Sequence, residues 1–288
     1  MKEKIKIVVD SCCDLPRAIQ ERFGIRMVPV NINIGKRSYE DGVDMTREDL
    51  YRKMIEEGII PTTSTPAPGK LLEAYRELAE RARMILSIHI TSKLSAVYET
   101  AVLARSMVSE IDVRVIDSLS ASMGTGFLAL AAAKASEAGK TVGEILASIE
   151  EVKSRMNVFA TVSTLKYLRL SGRVGSLQGM LASLLDIKPI LTIRDGLVEA
   201  LGAVRTRARS LDRLVELTLK AVGEAKPVNV AVAHAYAPKD AQQLRERIEA
   251  TLKCKEVFVV EITPALAVHG GPGLIGVVSY GVGKENNP

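Results

Sequence analysis

The sequence predicts an α/β protein of two domains. The first, residues 1–156, is a mostly parallel sheet flanked by helices, and the second, residues 157–288, is a smaller α+β domain. Three observations carry this. Strand and helix signals alternate through the first half, the pattern of a parallel sheet covered by helices. The second half changes rhythm and holds a hairpin signal, Asp195-Gly196. Apolar residues make up 47% of the 288-residue chain, enough to bury sizeable cores.

The elements follow in order. Ile5 to Val9 is a short apolar strand ending at Asp10-Ser11, and Met27 to Ile34 reads as a second strand. Thr46-Arg47-Glu48-Asp49 is a capping-box pattern that opens a helix running to Glu57, where Gly58 closes it. Another helix follows Pro66 and reaches about Ala82. Met84 to Ile90 and Val113 to Ile116 are strands, with helices starting near Ser95 and Ser122. In the second half, Asn157 to Val162 is a strand, followed after a short helix by a Gly- and Ser-rich loop at 171–179. Ile187 to Ile193 and Leu197 to Val204 flank the hairpin turn. A helix starts at Ser210, a strand spans Val228 to Ala233, and a helix runs from Pro238 to about Leu252. Strands at Val257 to Ile262 and Leu274 to Ser279 complete the chain. No internal repeat or low-complexity segment interrupts this order.

Composition excludes several classes. No apolar run is long enough for a spanning helix, and the N-terminus lacks the pattern of a secretory signal. The three cysteines, 12, 13 and 254, form no Cys-x-x-Cys pair, which argues against a zinc site or disulfide framework and for a reducing cytoplasm. The net charge of +5 lies in residues 160–215, which hold nine basic residues and four acids. Such a window is a solvated basic face or a docking surface for an acidic or phosphorylated partner. Nucleic acid is not expected, because basic and aromatic residues are not interleaved and Trp is absent.

Polar residues gather where an open α/β sheet binds ligands, at the carboxyl ends of its strands. Asp10-Ser11, Thr62-Thr63-Ser64-Thr65, Thr91-Ser92-Lys93-Leu94-Ser95 and Asp117-Ser118 all fall there. Each hydroxyl can cap the next helix. Together with the free N–H groups of helix N-termini, they can also bind a carboxylate or phosphate without adding charge. Two later segments stand out: Ser171-Gly172-Arg173, and His269-Gly270-Gly271-Pro272-Gly273, read as irregular backbone that lets a ligand approach closely. His89 reads as a packing residue inside a strand. His234 is open between packing and function.

Taken in order, these pieces resemble the DegV family. They are Asp10-Ser11 with Asp14-Leu15-Pro16, Thr63-Ser64 with Pro66 and Pro68, and Ser92, Leu94 and Ser95. Asp117-Ser118 with Gly124 and Gly126 follows, then Gly172-Arg173, Lys188-Pro189, Arg205-Thr206, and His269 with Gly271-Pro272-Gly273. The resemblance implies a fatty acid in a deep tunnel between the domains, with no cofactor besides that ligand and no metal. It implies that Thr63, Ser64, Ser95 and His269 bind the carboxylate, with Ser92, Ser118 and Gly271 as support. Arg173 would stand at the tunnel mouth and Arg205 would touch a fatty-acid kinase subunit, which makes an acyl phosphate for phospholipid synthesis. It also allows a transient membrane contact. The sequence departs from the family pattern at Ser171, at Ala96-Val97 and at Gly270, all around the expected head-group site.

The same residues bear on other functions. Ser95 with a histidine and Asp117 has the composition of a hydrolase triad, but no Gly-x-Ser-x-Gly elbow occurs. A nucleotide-binding role lacks its Gly-rich loop, because Asp10-Ser11-Cys12-Cys13 follows the first strand. A lipid carrier or sensor without a kinase partner is compatible with every residue named.

Overall fold

The computed structural model describes residues 5–173, 187–223 and 227–282. The chain divides into two compact units. One comprises the residues up to Ser154 together with Thr263–Val268; the other comprises Arg155–Ile262 and the residues from His269 onward. A single boundary at 156/157 has no counterpart for the six residues that count with the first unit so late in the chain.

The first unit begins with β1 (Ile5–Asp10), a 3₁₀ turn (Ser11–Cys13), α1 (Arg17–Phe23), β2 (Arg26–Val28), β3 (Asn31–Ile34) and β4 (Arg37–Glu40). It continues with α2 (Arg47–Ile55), β5 (Thr62–Ser64), α3 (Pro68–Ala79), β6 (Met84–His89), α4 (Val97–Ser106), β7 (Asp112–Asp117), α5 (Met123–Glu137) and α6 (Val142–Ser154). Its main sheet has the order β2-β1-β6-β7, with every pair parallel. Leu71, Ala74, Tyr75 and Leu78 of α3, with Ala101 and Ala104 of α4, pack on Val8, Ile85 and Val113. Helix α5 packs on β1 and β6, and α6 packs against α5.

One expected strand is two. Met27 to Ile34 splits at Pro29: β2 joins the parallel sheet, while β3 enters a separate antiparallel sheet of order β4-β3-β5. Proline donates no ladder hydrogen bond, so the chain changes sheets beside it. Thr46 does cap α2, its hydroxyl accepting from the Asp49 N–H at 3.1 Å.

The second unit contains β8 (Met156–Thr161), α7 (Lys166–Leu170), β9 (Lys188–Arg194), β10 (Leu197–Val204), α8 (Arg207–Val222) and β11 (Val228–His234). α9 (Pro238–Thr251) and β12 (Cys254–Glu261) follow; then come α10 (Pro264–Gly270), which begins in the segment counted with the first unit, and β13 (Ile275–Gly281). The sheet order is β10-β9-β8-β13-β11-β12. The β9–β10 turn has φ of 50° at Asp195 and 82° at Gly196, both positive, as a two-residue type I′ hairpin requires. Of the loop expected at 171–179, residues 174–179 lie outside the described residues. Helix α8 starts three residues before Ser210, because Thr206 caps it through the Arg209 N–H.

Helices α8 and α9 cover one face of this sheet, where Leu211, Leu214, Leu244 and Ile248 meet Val230, Val232, Ile275 and Val277. The alternate residues face the other way. There Ala160, Gly276 and Ala233 stand opposite one another across three strands.

The segment from His269 to Gly273 is not wholly irregular, as expected from sequence. His269 and Gly270 form the last turn of α10, and only at Gly271, with φ of 75°, does the chain turn away. This is the left-handed residue that commonly ends a helix.

Candidate functional site: the carboxyl end of the parallel sheet

The hydroxyl-rich strand ends do not cap the helices that follow them. Ala67 and Ala96 occupy the N-cap positions of α3 and α4, and Ser122, at that of α5, makes no side-chain cap bond. The hydroxyls therefore have other partners, or none. Ser11 Oγ accepts from the Val30 N–H at 3.2 Å. Ser118 is buried, and its hydroxyl is occupied by Ser120 and Thr125 at 2.9–3.1 Å, so it forms the turn after β7. Ser64 is exposed and accepts from Asn33 Nδ2 at 3.1 Å. Thr63 is half-buried in β5, paired with Ile32; the strand leads into α3 as the sequence suggested, but it belongs to the small antiparallel sheet and not to the parallel one. Ser92 and Ser95 precede α4, half-buried. Their N–H groups donate to Asp117 and to the Thr91 carbonyl, while their hydroxyls make no hydrogen bond among the described residues.

A Ser–His–Asp series does exist, but it is not the one weighed from sequence. Asp10 accepts from His89 Nδ1 at 3.0 Å, and His89 Nε2 meets Ser87 Oγ at 2.7 Å. Ser87 Oγ is in turn bonded to the Tyr75 hydroxyl at 2.8 Å. All four side chains are inaccessible to solvent. A nucleophile must reach its substrate, and Tyr75 occupies the place where one would stand. This network is a fully partnered core element, which agrees with the packing role read for His89. Asp117 accepts from the Ser92 and Leu119 N–H groups, and the hydrogen bonds of the His89 ring run instead to Asp10 and Ser87.

Beside this network lie two buried carboxylates that sequence reasoning did not single out. Burial pushes Asp14 up to about 7, against hydrogen bonds from the Ser122 hydroxyl and the Thr263 N–H. Burial likewise raises Asp41 to about 6. Neither Asp41 oxygen has a partner of good geometry, although Ser11, the Ala265 backbone and Thr263 face it closely enough to favour its charge. Cys12 and Cys13, buried in the 3₁₀ turn between Asp10 and Asp14, are free thiols held protonated chiefly by burial.

In the second unit, His269 is depressed to about 4 by burial and by the nearby positive charge of Arg173. It is therefore a neutral imidazole at pH 7. The neighbours of its glycines are defined: a Cβ on Gly271 would stand 2.1 Å from the Tyr167 ring, and one on Gly273 would stand 2.0 Å from Ser163 Oγ. Close approach at these two positions is made by α7 and the loop before it. Arg205 is exposed, just before the Thr206 cap, and makes no ion pair among the described residues. Much of the remaining basic window is self-paired: Arg207 with Asp240, Arg209 and Arg213 with Glu216, and Arg194 with Glu199.

No cluster of three or more His, Cys, Asp or Glu among the described residues is placed to hold a metal ion, and no described helix is long and apolar enough to cross a membrane. A groove of about 530 Å³ lies at the opposite end of β1, lined by Lys6, Arg22, Phe23 and Lys140, away from the hydroxyls.

Comparison with known proteins decides the family. The model of the DegV family, described as uncharacterised proteins, matches residues 4–281. The chain belongs to the DegV family. A DegV domain-containing protein of Streptomyces coelicolor is 36% identical, over 96% of this chain and 99% of its own. A fatty-acid-binding DegV family protein from Thermus thermophilus has a similar structure, with a TM-score of 0.92 and 32% identity over 97% of this chain and 100% of its own. A stearic-acid-binding protein from Eubacterium ventriosum gives 0.90 and 27%, over 96% and 98%. Both units of this DegV-family chain thus have counterparts in solved structures.

Proposed function

We propose that this chain binds one long-chain fatty acid and presents its carboxylate to a separate kinase subunit for acyl phosphate formation. The observation that carries the reading is the end-to-end likeness to proteins described as fatty-acid-binding, at up to 32% identity. The chain's own residues support it. Ser95 and Ser92 offer uncommitted hydroxyls at the carboxyl edge of a parallel sheet, where anions bind. The row Ala160, Gly276 and Ala233 presents the smallest side chains on a sheet face, a surface an unbranched apolar chain can lie against.

The energetics assign two roles. About fourteen buried methylenes at roughly 0.8 kcal/mol each give on the order of 11 kcal/mol before the costs of immobilisation. The tail supplies affinity. Hydrogen bonds to the charged head, worth about 1.5–3 kcal/mol each, decide which end is held. In this reading Thr63, Ser64 and Ser95 are assigned to the carboxylate. The roles of His269 beside it, and of Arg173 and Arg205 toward the mouth and the kinase, follow from the resemblance.

The test is a titration of wild type and Ser95→Ala with palmitate and with methyl palmitate, beside an ester-hydrolysis assay. Ser95→Ala is expected to bind the acid about ten- to a hundred-fold more weakly and to lose its preference for acid over ester. An unchanged acid-over-ester preference removes Ser95 from the head-group site. Ester turnover by wild type replaces the binding reading with a hydrolase.

A further inference from the structure

Strands β1 and β7 flank β6 in the parallel sheet of the first unit, and each ends in an aspartate, Asp10 and Asp117. Both carboxylates hold the loop that leaves β6 for α4, the loop that carries Ser92 and Ser95. Asp10 Oδ2 accepts the Ile90 N–H at 2.9 Å, and Asp117 Oδ2 accepts the Ser92 N–H at 3.3 Å. The Thr91 N–H donates to the Ser120 carbonyl at 2.9 Å, and the Lys93 N–H to Thr91 Oγ1 at 3.2 Å. The Leu94 and Ser95 N–H groups donate to the Thr91 carbonyl at 3.1 and 3.2 Å. Each N–H from Ile90 to Ser95 therefore has an acceptor within the first unit. An anion at this loop is met by side chains and not by backbone, and the half-buried, uncommitted donors among them are the hydroxyls of Ser92 and Ser95. A hydroxyl turns about its own bond to suit a partner, so the place from which it donates is set by the backbone that carries it.

The two arms differ. Asp10 is fully buried and also bonded to His89 and to the Cys12 N–H, so it belongs to the core. Asp117 is half-buried, and its other oxygen accepts the Leu119 N–H at 2.9 Å. That bond closes a turn in which Leu119 holds a φ of 50°, a conformation a leucine keeps only where its surroundings enforce it. We infer that Asp117 is a positioning residue of the head-group site: by holding the Ser92 N–H it fixes the loop on which the Ser92 and Ser95 hydroxyls meet a carboxylate. The identity of the ligand rests on the fatty-acid reading above; the hold on the loop rests on the geometry of the first unit alone.

Asp117→Ser separates the two bonds. Its hydroxyl can still accept the Leu119 N–H, as serine does at the start of a turn, but a single, shorter acceptor leaves the Ser92 N–H without its partner. Amide exchange followed by NMR is expected to quicken about tenfold at Ser92, with Thr91 and Leu119 unchanged. Palmitate affinity should fall roughly three- to tenfold while methyl palmitate binds as before, so the preference for acid over ester shrinks. Removing a negative charge beside an anion acts in the opposite sense, so a rise in palmitate affinity overturns the inference. In a Ser92→Ala, Ser95→Ala background no hydroxyl is left to position, and Asp117→Ser should cost nothing further; an undiminished cost there is equally fatal. So is unchanged exchange at Ser92, or faster exchange with the acid-over-ester preference intact. If Asp117→Ser does not fold, Asp117→Asn, of the same size, takes its place and the same readouts decide. A wild type that takes up no palmitate fails the fatty-acid reading instead, and exchange at Ser92 alone then decides whether Asp117 holds the loop.

Discussion

At the scale of single residues, the electrostatics of Asp14 have a measurable consequence. Burial raises its folded pKa to about 7, whereas an unfolded aspartate sits near 3.9. Between those values the folded state binds more protons than the unfolded, so Asp14 lends stability at low pH that is lost as pH rises through about 7. His269 acts in the opposite sense. Its folded value of about 4 lies below the ordinary 6.5, so its contribution is present above 6.5 and lost as pH falls. Replacing Asp14 with Asn removes only the first arm. Relative to wild type, Asp14→Asn should therefore gain about 2–3 kcal/mol on going from pH 5 to pH 8, read from urea unfolding at both values. A pH-independent difference would mean that the carboxyl is not held protonated by burial. None of this was legible in sequence. Asp14 appeared only within Asp14-Leu15-Pro16, and its partner lies 249 residues away. Ser92 and Ser95 could be found, because strand ends in a parallel sheet follow from the alternation of elements.

At the scale of elements, local signals worked where local chemistry decides. The Asp195-Gly196 hairpin and the Thr46 cap formed because turn geometry and an N-cap hydroxyl act within a few residues. The small antiparallel sheet escaped the reading because β3 and β5 pair across a helix, and only Pro29 marks the break. The same distinction applies to the basic window. Counted in sequence it is an excess of charge, but in the fold α8 neutralises much of it against Asp240, Asp212 and Glu216. Exposed ion pairs of this kind contribute little to stability but leave little charge for a partner. Arg205, just before α8, is exposed and outside those pairs. If the proposed kinase reading holds, Arg205→Glu is expected to leave palmitate binding intact while abolishing acyl phosphate formation with a cognate kinase subunit. Undiminished turnover would place the docking surface elsewhere.

At the scale of the whole molecule, the two-unit α/β architecture was legible because alternation of elements is a long-range pattern written in local signals. The return of Thr263–Val268 to the first unit was not, because the polar contacts that receive it lie on remote carboxylates, Asp14 and Asp41, more than two hundred residues earlier. The central claim concerns the molecule as a whole: the fold stores one fatty acid. The most direct measurement is a native mass spectrum of the purified protein beside a denaturing spectrum of the same sample, followed by titration of the delipidated chain with palmitate and oleate. The account predicts one fatty acid per chain in the native spectrum, its release on denaturation, and saturable rebinding at one per chain. A chain that carries no lipid and binds neither acid contradicts it.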